Sequence, residues 1–187
     1  MTKLINTTLA EQQTRLWVSN VIVKYNFCPF ARKEVENNCI HYQTSLATRI
    51  DDAVMEMIEQ CIELERQPAR ETTLLMFEQG FADFEAFLDL VDLANALLVA
   101  QGFESKYQIA NFHPDYVFAD SDDSDAANYT NRAPFPTLHL IREASMSAAL
   151  DEYDEPESIP EHNINLARRK GIDFWQQLLA GCKKPSA

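Results

Sequence analysis

The run TTLLMFE, residues 72–78, decides the fold. It is short and almost continuously apolar, the pattern of a central strand covered on both faces rather than one alternating between core and water. The sequence on either side supplies the cover. Residues 48–65 set Ile50, Val54, Met57, Ile58 and Cys61 on one stripe, and Pro68 closes the segment. Asp83 is placed to cap the next helix, which carries Phe84, Phe87, Leu88, Val91, Ala94 and Leu98 and stops at Gly102.

Further out, residues 39–44 (CIHYQT), 103–112 and 137–141 read as strands. Thr8 and Glu11 have capping-box spacing ahead of a helix running through Leu16, Trp17, Val21, Ile22 and Tyr25. The residues Phe27-Cys28-Pro29-Phe30 break it, and a short helix starts at Pro29, where a missing N–H costs nothing. Two helical stretches, 144–152 and 163–180, separated by a Pro- and Glu-rich turn, end the chain. Strand–helix–strand units give parallel pairing, whereas the third and fourth strands, joined without a helix, pair antiparallel. The expected fold is α/β (or α+β): a four-stranded mixed sheet packed with helices, one domain over 1–187. Residues 1–8 and 182–187 are expected as flexible ends. Strand order is not legible.

Composition narrows the function classes. With a net charge of -13 and no basic run, the 187-residue chain has no surface that releases counterions from a phosphate backbone, so nucleic acid and anionic membrane are excluded as partners. Cys28, Cys39, Cys61 and Cys182 lie far apart without CxxC pairing, which points to neither a zinc ribbon nor a disulfide framework. No signal core or membrane-spanning run is visible, so a reducing cytoplasm is the expected location. No cofactor motif is present, and oligomeric state is not readable.

The connection between the third and fourth strands, residues 113–136, is too long for an ordinary loop and is read as functional or mobile. It holds His113, Asp115 and Tyr116 at one end and Asn131 and Arg132 at the other, next to Ala133-Pro134-Phe135-Pro136. In an antiparallel pair both ends meet at one rim of the sheet. The short helix after Pro29 is expected to bring Cys28 to that rim, where open α/β sheets bind ligands.

Cys28 at a helix start, with Arg32 one turn on, is the arrangement that makes a nucleophilic thiolate. His113 with Asp115 offers a general base and its orienting carboxylate. Asn131 and Arg132 suit an anion, Arg through its planar fork, with Arg32, Tyr116 and His139 as further contacts. The ligand this set would take is a small anionic molecule, and the reaction class hydrolysis or group transfer. Each residue also has a plain packing role, Cys28 above all, being flanked by Phe27 and Phe30. A non-catalytic module binding a ligand or protein through the 113–136 loop is the alternative. A metal site would rest on His113, Asp115 and His139. The acidic run 119–125, ADSDDSD, lacks the glycine and distal glutamate of an EF-hand and reads as a solvated, mobile segment.

At FCPFAR (27–32), NFHPDYVFAD (111–120) and NYTNRAPFPTLHLIREAS (128–145) the chain resembles the bacterial domain-of-unknown-function family DUF1415. The resemblance extends from about Leu16 to Ile172. It departs from the family pattern at Asp120 and Ala133, where Gly and Ser are frequent. What it implies is a single-domain cytoplasmic bacterial protein; it implies no mechanism.

Overall fold

A computed structural model describes residues 7–184. Helix α1 (Leu9–Trp17) begins where Thr8 Oγ1 accepts the N–H of Glu11 and runs directly into a π-helical stretch, Val18–Val23. Asn26, at φ 56, turns the chain out of it, a left-handed conformation that asparagine tolerates better than most residues. Then follow α2 (Ala31–Glu36), β1 (Ile40–Ser45), α3 (Ile50–Arg66), β2 (Thr72–Phe77), α4 (Phe84–Ala100) and β3 (Tyr107–Phe112). A 3-10 turn, Ala126–Thr130, precedes β4 (Thr137–Arg142). The chain finishes with α5 (Glu143–Asp151), a second 3-10 turn (Pro156–Ser158), α6 (Ile159–Lys170) and α7 (Ile172–Cys182).

The sheet is four-stranded and mixed, in the order β1-β2-β4-β3. Strands β1 and β2 are parallel, and β4 lies antiparallel between β2 and β3. All six residues of β2 are buried, the double cover that its composition requires. Leu75 and Phe77, with Leu138 and Leu140 of β4, face α3 and α4. Leu74 and Met76, with Tyr42 of β1, face the layer built from α1, the π-helical stretch, α6 and α7. Alternation along each strand thus divides the side chains between two cores.

Three expectations are corrected. The third strand begins at Tyr107 rather than residue 103, because Phe103–Lys106 form a turn closed by Lys106 N–H to Phe103 O. The last helical stretch is two helices, divided at Gly171, whose φ of 81 no helix accommodates. Of the ends expected to be flexible, residues 1–6 and 185–187 lie outside the described residues. Cys182, by contrast, is buried at the end of α7, and Lys183 O accepts a hydrogen bond from Gln13 Nε2 at 2.8 Å.

The 113–136 connection is a packed structure. Asp125 caps the 3-10 turn through Ala127 N–H and pairs with Arg168 of α6 at 2.6 Å. Fully buried Asn128 accepts from Phe118 N–H and donates to Asp122 O. Backbone bonds from His113 N–H to Asn131 O and from Ala133 N–H to His113 O tie the two ends together. Asp122 and Asp125 of the acidic run are likewise engaged, Asp122 accepting from Ser124. Among the described residues no group of three or more His, Cys, Asp or Glu side chains is placed to hold a metal ion.

Candidate functional site

The structure separates the residues expected to converge. His113 continues the alternation of Tyr107 and Ile109, so its ring turns toward α4 and packs against Phe84 and Phe87 at 5.1 and 5.2 Å. It is fully buried, and both nitrogens are occupied: Nε2–H donates to Phe81 O at 2.9 Å and Nδ1 accepts Asp115 N–H at 3.0 Å. Burial holds this imidazole below its usual range, so it is neutral. Asp115 is exposed and reaches His113 through its backbone N–H; no side-chain bond between the two orients the ring.

Arg132 is buried too, and its guanidinium is spent inside the connection. It donates to Tyr116 O at 3.0 Å and to the Asp123 carboxylate at 2.6 Å, and lies over the Tyr129 ring. Tyr116 stacks with Phe84 and Phe118 as part of the same packing. Arg32 is exposed and donates to Val23 O. The anion clamp read from these residues is therefore scaffolding: a loop in a chain with surplus carboxylates found an internal partner for its one buried arginine.

Cys28, Asn131 and His139 do come together. They line a cavity of about 430 Å3 on the other face of the sheet, under α2, α5, α6 and the π-helical stretch. Cys28 precedes α2, whose first residue is Ala31, and burial pushes its thiol up, against the backbone N–H groups of Phe30 and Ala31, which pull it down. The expected activated thiolate is thereby corrected: desolvation outweighs the helix start, and Arg32 points elsewhere.

His139 lies in the cavity floor, paired across the sheet with Leu74 and Ala110. The Thr72 hydroxyl is 2.5 Å from Leu140 O, to which it donates, and 2.6 Å from His139 Nε2. A hydroxyl has one proton to give, so Nε2 carries the ring's proton and donates to Thr72. Nδ1 is left with a lone pair, and among the described residues no side chain or backbone group donates to it. Burial pushes this imidazole down to about 4, so it is neutral near pH 7. Such a ring accepts a hydrogen bond from a group held against it.

Sequence reasoning missed most of the lining of this cavity, Trp17, Glu34, Glu71, Thr72 and Asn163 among it. Trp17 is 1% exposed and its indole N–H has no acceptor among the described residues. Asn163 donates through Nδ2 to Phe27 O at 2.7 Å, which fixes the amide orientation and leaves Oδ1, also buried, without a donor among the described residues. Glu34 and Glu71 are half-buried near the exposed Ser145 and Pro160, where the cavity meets the surface. Burial, then repulsion from Glu71, holds the Glu34 carboxyl above its usual range. Among the described residues that line the cavity none is Lys or Arg. A hydroxyl at the start of an otherwise apolar run, Thr72, was the one signal visible in sequence.

No helix among the described residues is long and apolar enough to cross a membrane. No curated protein and no solved structure matches the chain. The family model described as protein of unknown function, DUF1415, matches residues 9–177, which span every strand of the sheet and nearly all of the cavity's cover. On that match the chain belongs to the DUF1415 family.

Proposed function

We propose that the chain binds a small, largely apolar molecule in the cavity between the sheet and its N- and C-terminal helices. One observation carries this reading. A space of about 430 Å3 is walled mostly by apolar side chains, yet a few polar groups without protein partners open onto it or border it. Ligand sites have this constitution, and their usual volumes begin at roughly 300 Å3. A void left by imperfect packing is far smaller and rarely collects polar atoms.

Of the two histidines it is His139, not His113, that borders this cavity, together with the Cys28 thiol, and it serves there as a hydrogen-bond acceptor. The anionic ligand expected from Arg132 loses its basis, since that guanidinium is paired with Asp123.

The neutral dye N-phenyl-1-naphthylamine tests the reading through its own emission and through Trp17, which lines the cavity. Saturable binding at one site is expected, and Ala149→Trp, filling the space from α5, abolishes it while circular dichroism stays native. Ala110→Phe, filling from the floor, repeats the test independently. Dye binding unchanged in both folded variants overturns the proposal.

A further inference from the structure

Resting on that reading of the cavity, we infer that its ligand is a hydrophobic amine, bound as the ammonium, with the charged nitrogen at Glu34 and Glu71 and the apolar body over the β4 floor. The lining offers more acceptors than donors. Three acceptors in the lining lack a full set of donors among the described residues: the carboxylates of Glu34 and Glu71 and Nδ1 of His139. Glu71 takes one hydrogen bond, from Ser145 Oγ at 2.7 Å on Oε2, and its other oxygen has none among the described residues. Among the described residues the donors bordering the cavity are weak, engaged or sealed: the Cys28 S–H, the Asn131 amide, which bonds Asn111 O, and the buried Trp17 indole N–H. A ligand complementary to this wall gives hydrogen bonds and receives few.

Charge points the same way. The only formally charged side chains in the described lining are two carboxylates, close enough to repel each other. Lys33, next to Glu34 on α2, is exposed and does not line the cavity. A carboxylate or phosphate ligand would add a third negative charge in a half-buried, weakly screened setting. An ammonium relieves the repulsion and makes charge-assisted bonds to both oxygens. Position fits as well. Glu71 adjoins Thr72, whose hydroxyl touches His139, so a molecule anchored at the rim lies along the floor within reach of Nδ1.

Three probes with one body and different heads test the inference: 4-phenylbutylamine, 4-phenylbutanol and 4-phenylbutanoate, titrated calorimetrically into the full chain at pH 7. The amine is expected to bind at least ten-fold tighter than the alcohol, and the carboxylate weakest. In the double variant Glu34→Gln/Glu71→Gln the advantage of the amine over the alcohol falls to two-fold or less, while the alcohol's own affinity is unchanged. Losing the mutual repulsion, that variant unfolds at the same temperature or higher, which separates loss of binding from loss of fold. Equal or tighter binding of the alcohol or carboxylate to the unmodified chain overturns the amine assignment and leaves the cavity as a ligand site. An amine preference that survives in the double variant also overturns it. Binding of none of the three overturns both.

Discussion

Two histidines show how little a residue type says until its face is known. His139 sits on β4 and His113 directly follows β3, but Ala110 is the partner of His139, and position 113 has the opposite parity. A period of two sends one ring to α4 and the other to the cavity. His113 is thus a structural clamp. It holds Phe81 O, on a residue at φ 62, and takes Asp115 N–H, so one imidazole secures two separate turns. His113→Ala removes a packed ring and strands two backbone groups. It should destabilise the chain by about 2–4 kcal/mol in urea unfolding. A loss under 1 kcal/mol would show that the ring is not a clamp.

Among the elements, those with local rules were legible from sequence. Thr8 and Asp83 cap α1 and α4 as their spacing requires, and β2 is covered on both faces as its composition requires. What local rules do not contain is the partner of a polar group. Arg132, Asn131 and Asp125 stand in a segment without periodicity, and nothing in their order says that Asp123, Thr130 and Arg168 will engage them. A polar, proline-braced segment is equally suited to face a ligand or to fold on itself, and here its buried members fold on themselves. Arg142 teaches the same: it donates to the carbonyls of Leu64 and Arg70 and so closes the carboxyl end of α3. The cavity escaped notice because its wall is assembled from most of the chain's elements, each contributing a few ordinary residues.

The turn after β2 has its own prediction. A Cβ at Gly80 would lie 2.3 Å from Ala47 O, and that atom belongs to backbone, so it yields only if the 45–50 connection moves. Gly80→Ala should therefore cost roughly 1–3 kcal/mol, as overpacking does. Gly102→Ala, with nothing within 4 Å of the added carbon but φ at +73, should cost only its local strain, about 1 kcal/mol. Paired thermal melts of the two variants rank them, and a Gly102 variant less stable than the Gly80 one would contradict the close approach.

For the whole molecule, acid is the revealing variable. The His139 imidazole stands at about 4 when folded against an ordinary value of 6.5, so between those limits the unfolded chain binds more protons. Its contribution is complete above 6.5, declines as the pH falls toward 4, and amounts to roughly 2 kcal/mol lost by pH 5. His113 and His41, both lowered by burial, add in the same direction, while Glu34, raised, opposes them. Urea midpoints at pH 7 and pH 5 should fall accordingly, and His139→Gln should remove more than half of the fall. The comparison with the variant cancels the general relief of a chain carrying -13 as it takes up protons. An equal fall in both proteins would mean that His139 is not neutral by burial.

The position of β4 between β2 and β3 bears on how the chain comes off the ribosome. The strand that joins the two halves of the sheet is the last of the four to emerge, after the whole 113–136 segment. Until then β3 has no neighbour, and the inner edge of β2 is open along a strand that is buried throughout in the folded chain. A nascent chain halted before Thr137 accordingly displays the kind of sticky border that chaperones shield and that seeds aggregates.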